Sequence, residues 1–158
     1  MVVKKPFSSY TEPMLKFPMK FHAVESFSTS SIKESWEGKT GNLPPIPLSI
    51  PVEFMGPGGG YSPEDLFGLA ILNCVIALYK IYCAQAKLSF REIKGNAVLT
   101  ADKESSEASF YISHIDLTFH VSGASNLEKG KELLDIAIKN CPIGNSIKSC
   151  KSFHTTLS

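Results

Sequence analysis

The chain has 158 residues, enough for one domain that buries roughly two thirds of its unfolded surface. Sixteen basic residues stand against fifteen acidic ones, a net charge of +1 with no basic stripe, which argues against a nucleic-acid partner. The four cysteines show no Cys-x-x-Cys spacing and are too few for a disulfide scaffold, so they read as free thiols, a redox pair or metal ligands, with a zinc ribbon disfavoured.

Residues 1–16, interrupted by Pro6 and Pro13, read as a loosely ordered N-terminal arm, and residues 17–158 as the domain proper. The N-terminus carries no continuous apolar segment of a secretory signal, which sets the expectation of a cytoplasmic protein. Between Phe17 and Trp36, alternations such as Met19-Lys-Phe-His-Ala-Val24 predict one or two strands. Glu37-Gly-Lys-Thr-Gly-Asn42 is turn chemistry, with Gly38 and Gly41 free to take positive φ. Pro44, Pro45, Pro47 and Pro51 predict an extended segment, at a sheet edge if it pairs. Met55-Gly-Pro-Gly-Gly-Gly60 predicts a flexible loop; with no Lys-Ser/Thr after it, it is not a phosphate-binding loop.

Ser62-Pro-Glu-Asp65 opens a helix: Ser62 suits the N-cap, Pro63 the first helical position, and Glu64 and Asp65 the positive end of the dipole. The helix is expected to reach about Lys87. Its uncharged run, Leu66 to Tyr79, has 14 residues, short of the ~20 that cross a bilayer, so a buried core helix is expected and no membrane partner. Apolar residues occupy nearly every face of that run. A helix of this kind must be enclosed all round, which predicts a homodimer.

Ile93–Ala101 and Ser109–Val121 read as strands joined by the polar loop Asp102–Glu107, with Ile115, Leu117, Phe119 and Val121 on one face. Asn126–Asn140 reads as an amphipathic helix. Cys141 ends it, because a residue before proline avoids the α region, and Pro142 starts a short turn through Ile147. A last strand is expected at Phe153–Leu157.

Two cysteines stand in stretches that read as sites. Cys74, deep in the long helix, reads as a small apolar core residue or as a reactive thiol. Cys141 fills a corner between helices, or acts as N-cap to the turn at Pro142, where backbone N–H groups would stabilise a thiolate. The words Gly-Gly-Gly-Tyr-Ser-Pro-Glu-Asp-Leu-Phe, then Asn73-Cys74, then Asn140-Cys-Pro-Ile-Gly-Asn145 resemble the OsmC/Ohr family, the osmotically inducible and organic hydroperoxide resistance proteins. The resemblance runs from about Trp36 to Ile147.

That resemblance implies an α+β, two-layer OsmC-like fold, antiparallel strands covering a long central helix, in a homodimer. It implies a thiol-dependent peroxidase that reduces small organic hydroperoxides without metal or organic cofactor. Cys74 corresponds to the peroxidatic thiol and Cys141 to the resolving thiol, with a dithiol or lipoyl-type reductant returning both to thiols. Glu64 corresponds to the family's glutamate beside the reactive cysteine. Ten residues on one helix put Glu64 ~15 Å from Cys74, so either the helix breaks near Gly68 or Glu64 serves a partner subunit's Cys74. The family's Gly-Arg-x-Gly turn is Gly38-Lys-Thr-Gly41 here, so Lys39 keeps a charge but not the planar fork of arginine. Lys39 also reads as a solvated turn lysine. Arg91, the only arginine, is no substitute by position. The alternative reading is a non-catalytic OsmC-like redox sensor or small-ligand-binding protein. Cys83 should face away from Cys74, and Cys150 reads as a surface or edge thiol. His114, Asp116 and His120 share a strand face that solvent explains better than a metal; His22 and His154 have no convincing partner.

Overall fold

The computed structural model describes residues 17–21 and 24–158; the expected arm at 1–16 and His22 lie outside the described residues. The chain divides into two compact units between Leu66 and Phe67.

The first unit holds strands β1 (Val24–Phe27), β2 (Trp36–Thr40) and β3 (Ile46–Leu48), an antiparallel sheet in the order β1-β2-β3. The proline pattern was a sound guide: Pro47 lies on β3, an edge strand, opposite Glu37. The turn expected at Glu37–Asn42 starts later. Gly38 and Lys39 lie inside β2, paired with Ser26 and Glu25 of β1. Gly38 has no positive φ; it makes room instead, since a Cβ there would meet Leu48 Cδ1 at 2.7 Å. Cross-strand packing therefore overrides the local turn signal, and only Gly41 takes the positive φ. Beyond the 3-10 turn Val52–Phe54, the buried Ser49 hydroxyl donates to Gly58 O at 3.0 Å and ties down the glycine loop.

Helix α1 (Pro63–Gln85) starts with a reciprocal cap: Ser62 Oγ accepts from Asp65 N–H at 3.1 Å, and Asp65 Oδ2 accepts from Ser62 N–H at 2.9 Å. It ends at Gln85, and just beyond it Lys87 takes φ 54°, where Leu88 N–H reaches Cys83 O at 2.9 Å and Lys87 N–H reaches Ala84 O at 3.2 Å, closing the last turn. By length and composition alone α1 would also cross a bilayer. Its buried residues pack on protein.

In the second unit β4 (Glu92–Asp102) and β5 (Tyr111–Ser122) pair antiparallel, with a bulge at Thr100/Ala101. Helices α2 (Leu127–Asn140) and α3 (Pro142–Asn145) follow, then β6 (Cys150–Leu157). Asn126 caps α2 by accepting from Lys129 N–H at 2.9 Å. Because α2 and α3 form a crossover, β6 pairs with β5 in parallel; that corrects the expectation of an entirely antiparallel cover, and β6 begins at Cys150 rather than Phe153.

The core lies here. Ile115, Leu117, Phe119 and Val121 are all fully buried, with Ile71, Val75 and Tyr79 of α1 and Leu133, Leu134 and Ala137 of α2. Each large side chain so enclosed contributes about 1.5–3 kcal/mol. Two glycines let α1 approach β4: a Cβ at Gly68 would lie 3.1 Å from Leu99 Cδ1, and one at Gly95 would lie 2.9 Å from Leu72 Cδ2.

Candidate active site

The second unit brings Cys74 and Cys141 together. Cys74 sits half-buried midway along α1, and Cys141 stands at the α2–α3 corner with 1% of its surface exposed. Pro142 holds Cys141 extended (φ −62°, ψ 108°), which turns its side chain back over the first turn of α3. There Sγ accepts from Gly144 N–H at 3.2 Å, and the Cys74 side chain is near enough to influence its ionisation. Both thiols are free.

The cap geometry expected at Cys141 is present, but its expected consequence is reversed. Burial, followed by the hydrogen bond with Cys74, pushes the Cys141 thiol up to about 11; the N–H groups of Gly144 and Ile143 pull it down by less. In a dry corner the cost of desolvating an anion exceeds what two peptide dipoles return. Cys141 therefore stands as a protonated S–H beside Cys74, a donor to any negative charge on the Cys74 sulfur.

Glu64 and Lys39 belong to the first unit. Glu64 is in the opening turn of α1, and its Oε2 is buried without a hydrogen-bond partner among the described residues. Helix α1 runs through Gly68 without a break, which removes the first of the two ways for Glu64 to act at Cys74. Lys39 is a strand residue, not a turn lysine: Nζ lies 3.2 Å from Glu25 Oε2 and 5.9 Å from the Phe27 ring centre.

The remaining candidates separate cleanly. Cys83 is buried beside Tyr79; burial raises the pKa of both, and the Tyr79 hydroxyl makes no well-formed hydrogen bond among the described residues. Cys150 is exposed on the edge strand β6. His114 Nε2 lies 2.8 Å from Ser152 Oγ and 3.2 Å from Asp116 Oδ1, and His120 Nδ1 lies 2.8 Å from Thr156 Oγ1, a polar face of the second sheet. Among the described residues no cluster of three or more His, Cys, Asp or Glu could hold a metal ion. Sequence reasoning missed the hydrogen bond from Asn140 Nδ2 to Tyr82 Oη, 3.1 Å, beside Cys141. The asparagines bracketing Cys-Pro-Ile-Gly were its only signal.

Residues 56–156 match the family model described as OsmC-like protein. This chain belongs to the OsmC-like family. Its fold is similar to that of an OsmC-like protein of unknown function from Vibrio cholerae, at 18% identity over 89% of this chain and 100% of that one, TM-score 0.72. It is similar to the organic hydroperoxide resistance protein OsmC from Legionella pneumophila, at 19% identity over 89% of this chain and 98% of that one, TM-score 0.67. It is also similar to the organic hydroperoxide resistance protein OhrB of Bacillus subtilis, at 19% identity over 88% of this chain and 98% of that one, TM-score 0.59. Comparison with curated protein sequences finds no match. The α+β architecture of this OsmC-like protein is thus that of the solved family folds, and α1 is its long helix.

Proposed function

We propose that this OsmC-like protein is a thiol-dependent peroxidase for small organic hydroperoxides. The observation that carries the reading is that half-buried Cys74 on α1 and buried Cys141 at the α2–α3 corner are near enough to act on each other's charge. Cys74, the more accessible thiol, attacks as thiolate: its sulfur takes the distal peroxide oxygen, the O–O bond breaks, and the alkoxide leaves as alcohol after taking a proton. Cys141 then bonds to the Cys74 sulfenic sulfur; the S–O bond breaks and hydroxide leaves as water with the Cys141 proton. An external dithiol, lipoyl-type in this reading, gives two electrons and restores both thiols. The one proton of Cys141 is kept through the first step, where solvent protonates the alkoxide, and leaves with the sulfenic oxygen as water in the second. Lys39 and Glu64 act on the peroxide and the Cys74 thiolate in the same reading, on the strength of the family likeness.

Assembly is part of the proposal. Leu69 and Ile81 of α1 are 40% and 49% exposed, and a second copy would cover such a face. Light scattering tests this; a monomer at micromolar concentration would remove the dimer.

The deciding experiment is intact and peptide mass analysis after one equivalent of cumene hydroperoxide. The wild type loses two mass units and yields a Cys74–Cys141 bridge, while Cys74→Ser consumes no peroxide and Cys141→Ser over-oxidises at Cys74. Unchanged peroxide consumption in both variants sinks the mechanism. A second reading, a non-catalytic sensor or ligand-binding protein, is favoured by one feature, the tie of Lys39 to Glu25 in place of a free guanidinium fork. A sensor oxidises once; a peroxidase turns over with dithiol.

A further inference from the structure

We infer that Tyr82 and Asn140 are positioning residues for the resolving step, because their hydrogen bond ties the Cys141 corner to the helix that carries Cys74. The inference rests on the peroxidase reading. Asn140 is the last residue of α2 and the neighbour of Cys141; its Nδ2 donates to Tyr82 Oη at 3.1 Å. Tyr82 lies on α1, eight residues beyond Cys74.

The corner itself is closed by its own bonds. Asn145 N–H donates to Cys141 O at 2.9 Å, Asn145 Nδ2 donates to Lys139 O at 3.0 Å, and Ser146 Oγ donates to Pro142 O at 2.8 Å. With Gly144 N–H on Cys141 Sγ, these make residues 139–146 a unit that shifts as one piece. Asn145 thus shapes the corner, whereas Asn140 fixes where the corner stands against α1. That division of labour accounts for both asparagines of Asn-Cys-Pro-Ile-Gly-Asn.

Resolution is the step most sensitive to that placement. Cys141 Sγ must leave the Gly144 N–H and bond to the Cys74 sulfenic sulfur as hydroxide departs. The competing reaction is a second peroxide converting sulfenic acid to sulfinic acid, with the loss of another alcohol. A displaced corner leaves the first oxidation alone and slows the second bond, so the ratio of bridge to sulfinate reports on it directly.

The test uses the full chain with excess cumene hydroperoxide and peptide mass analysis, comparing wild type, Tyr82→Phe, Asn140→Ala and the double variant. The first peroxide equivalent should be consumed at the wild-type rate, within about twofold, in all of them, while the bridge-to-sulfinate ratio falls roughly tenfold. The double variant should fall no further than either single one, the signature of one shared bond. Asn140→Asp should keep the wild-type ratio, because Tyr82 O–H can donate to the new carboxylate, and lose it when combined with Tyr82→Phe. A wild-type ratio in Tyr82→Phe, or additive losses in the double variant, overturns the inference while leaving the peroxidase intact. If the wild type forms no bridge at all, the peroxidase reading and this inference fall together.

Discussion

Among the described residues, eleven of the twelve largest fully buried side chains lie at or beyond Ile71, and the twelfth, Ser49, is the only one of them from the first unit. The first unit instead leaves Val24, Phe27 and Val52 at 81%, 66% and 64% exposure. The second unit is a closed core around β5; the first is a small sheet that leaves several of its apolar residues exposed. Three strands without an enclosed face are marginal on their own. The comparison therefore teaches that the two parts of this chain should respond to the same truncation in opposite ways.

The largest effect tests that directly. Phe119→Ala removes a fully buried ring and should cost about 3–5 kcal/mol, a large part of the 5–15 kcal/mol typical of a domain. Phe27→Ala, the same chemistry on an exposed strand, should stay within about 0.5 kcal/mol in dilute protein by urea titration. A larger loss at Phe27 that grows with protein concentration would show that a second copy covers β1, and would sharpen the proposed dimer.

Next comes Cys141, an ionisable residue of the second unit's core. Its folded pKa is raised from 9 to about 11, so the fold favours the neutral thiol. The stability this contributes is complete below pH 9 and is lost as pH climbs through 11, on the order of 2 kcal/mol across that window. Thermal melts of the reduced protein at pH 8, 9.5 and 11 should therefore fall, and Cys141→Ala should flatten part of the fall. In Cys74→Ala, the Cys141 thiol should titrate lower, because the acceptor of its S–H is gone while burial remains; thiolate absorbance would follow it.

The caps are where the two regions should behave alike, since a cap acts within one turn. Ser62→Ala at the head of α1 and Asn126→Ala at the head of α2 each remove one acceptor from an N–H group, and each should cost about 1 kcal/mol. Matched Tm shifts would confirm that helix initiation is independent of the core. A much larger loss at Ser62 would mean that the α1 start also holds the first unit in place.

The same distinction governs how much was legible beforehand. Ser62, Pro63 and Asp65, the Asn126 cap, the Cys141 stop before proline and the Ile115–Val121 face are all short-range patterns, and the structure follows each of them. What was not legible depends on distant partners. Gly38-Lys39 spells a turn until Leu48 packs over Gly38 and Glu25 pairs with Lys39. The polar start of β6 spells a loop until β5 pairs with it through Cys150. The cap at Cys141 was readable, but the sign of its pKa shift was not, because burial is a property of the assembled core. Pairing of Cys74 with Cys141 came from the family resemblance, whereas the Tyr82–Asn140 bond had no signal strong enough to find it.

The smallest expected effect is also the most useful control. Lys39 and Glu25 form an exposed pair, their side chains 43% and 55% accessible, of a kind whose contribution rarely exceeds about 1 kcal/mol. Lys39→Arg keeps the charge, the reach to Glu25 and the approach to the Phe27 ring, so the melting temperature should hardly move. A change in peroxide consumption by this variant would then be chemical rather than structural. A rise is expected if Lys39 occupies the place of the family's arginine, because the planar fork can bind a carboxylate and a peroxide oxygen together where an ammonium group offers a single charge. Equal rates at equal stability would confine Lys39 to its sheet, and the work of orienting the peroxide would have to be assigned elsewhere.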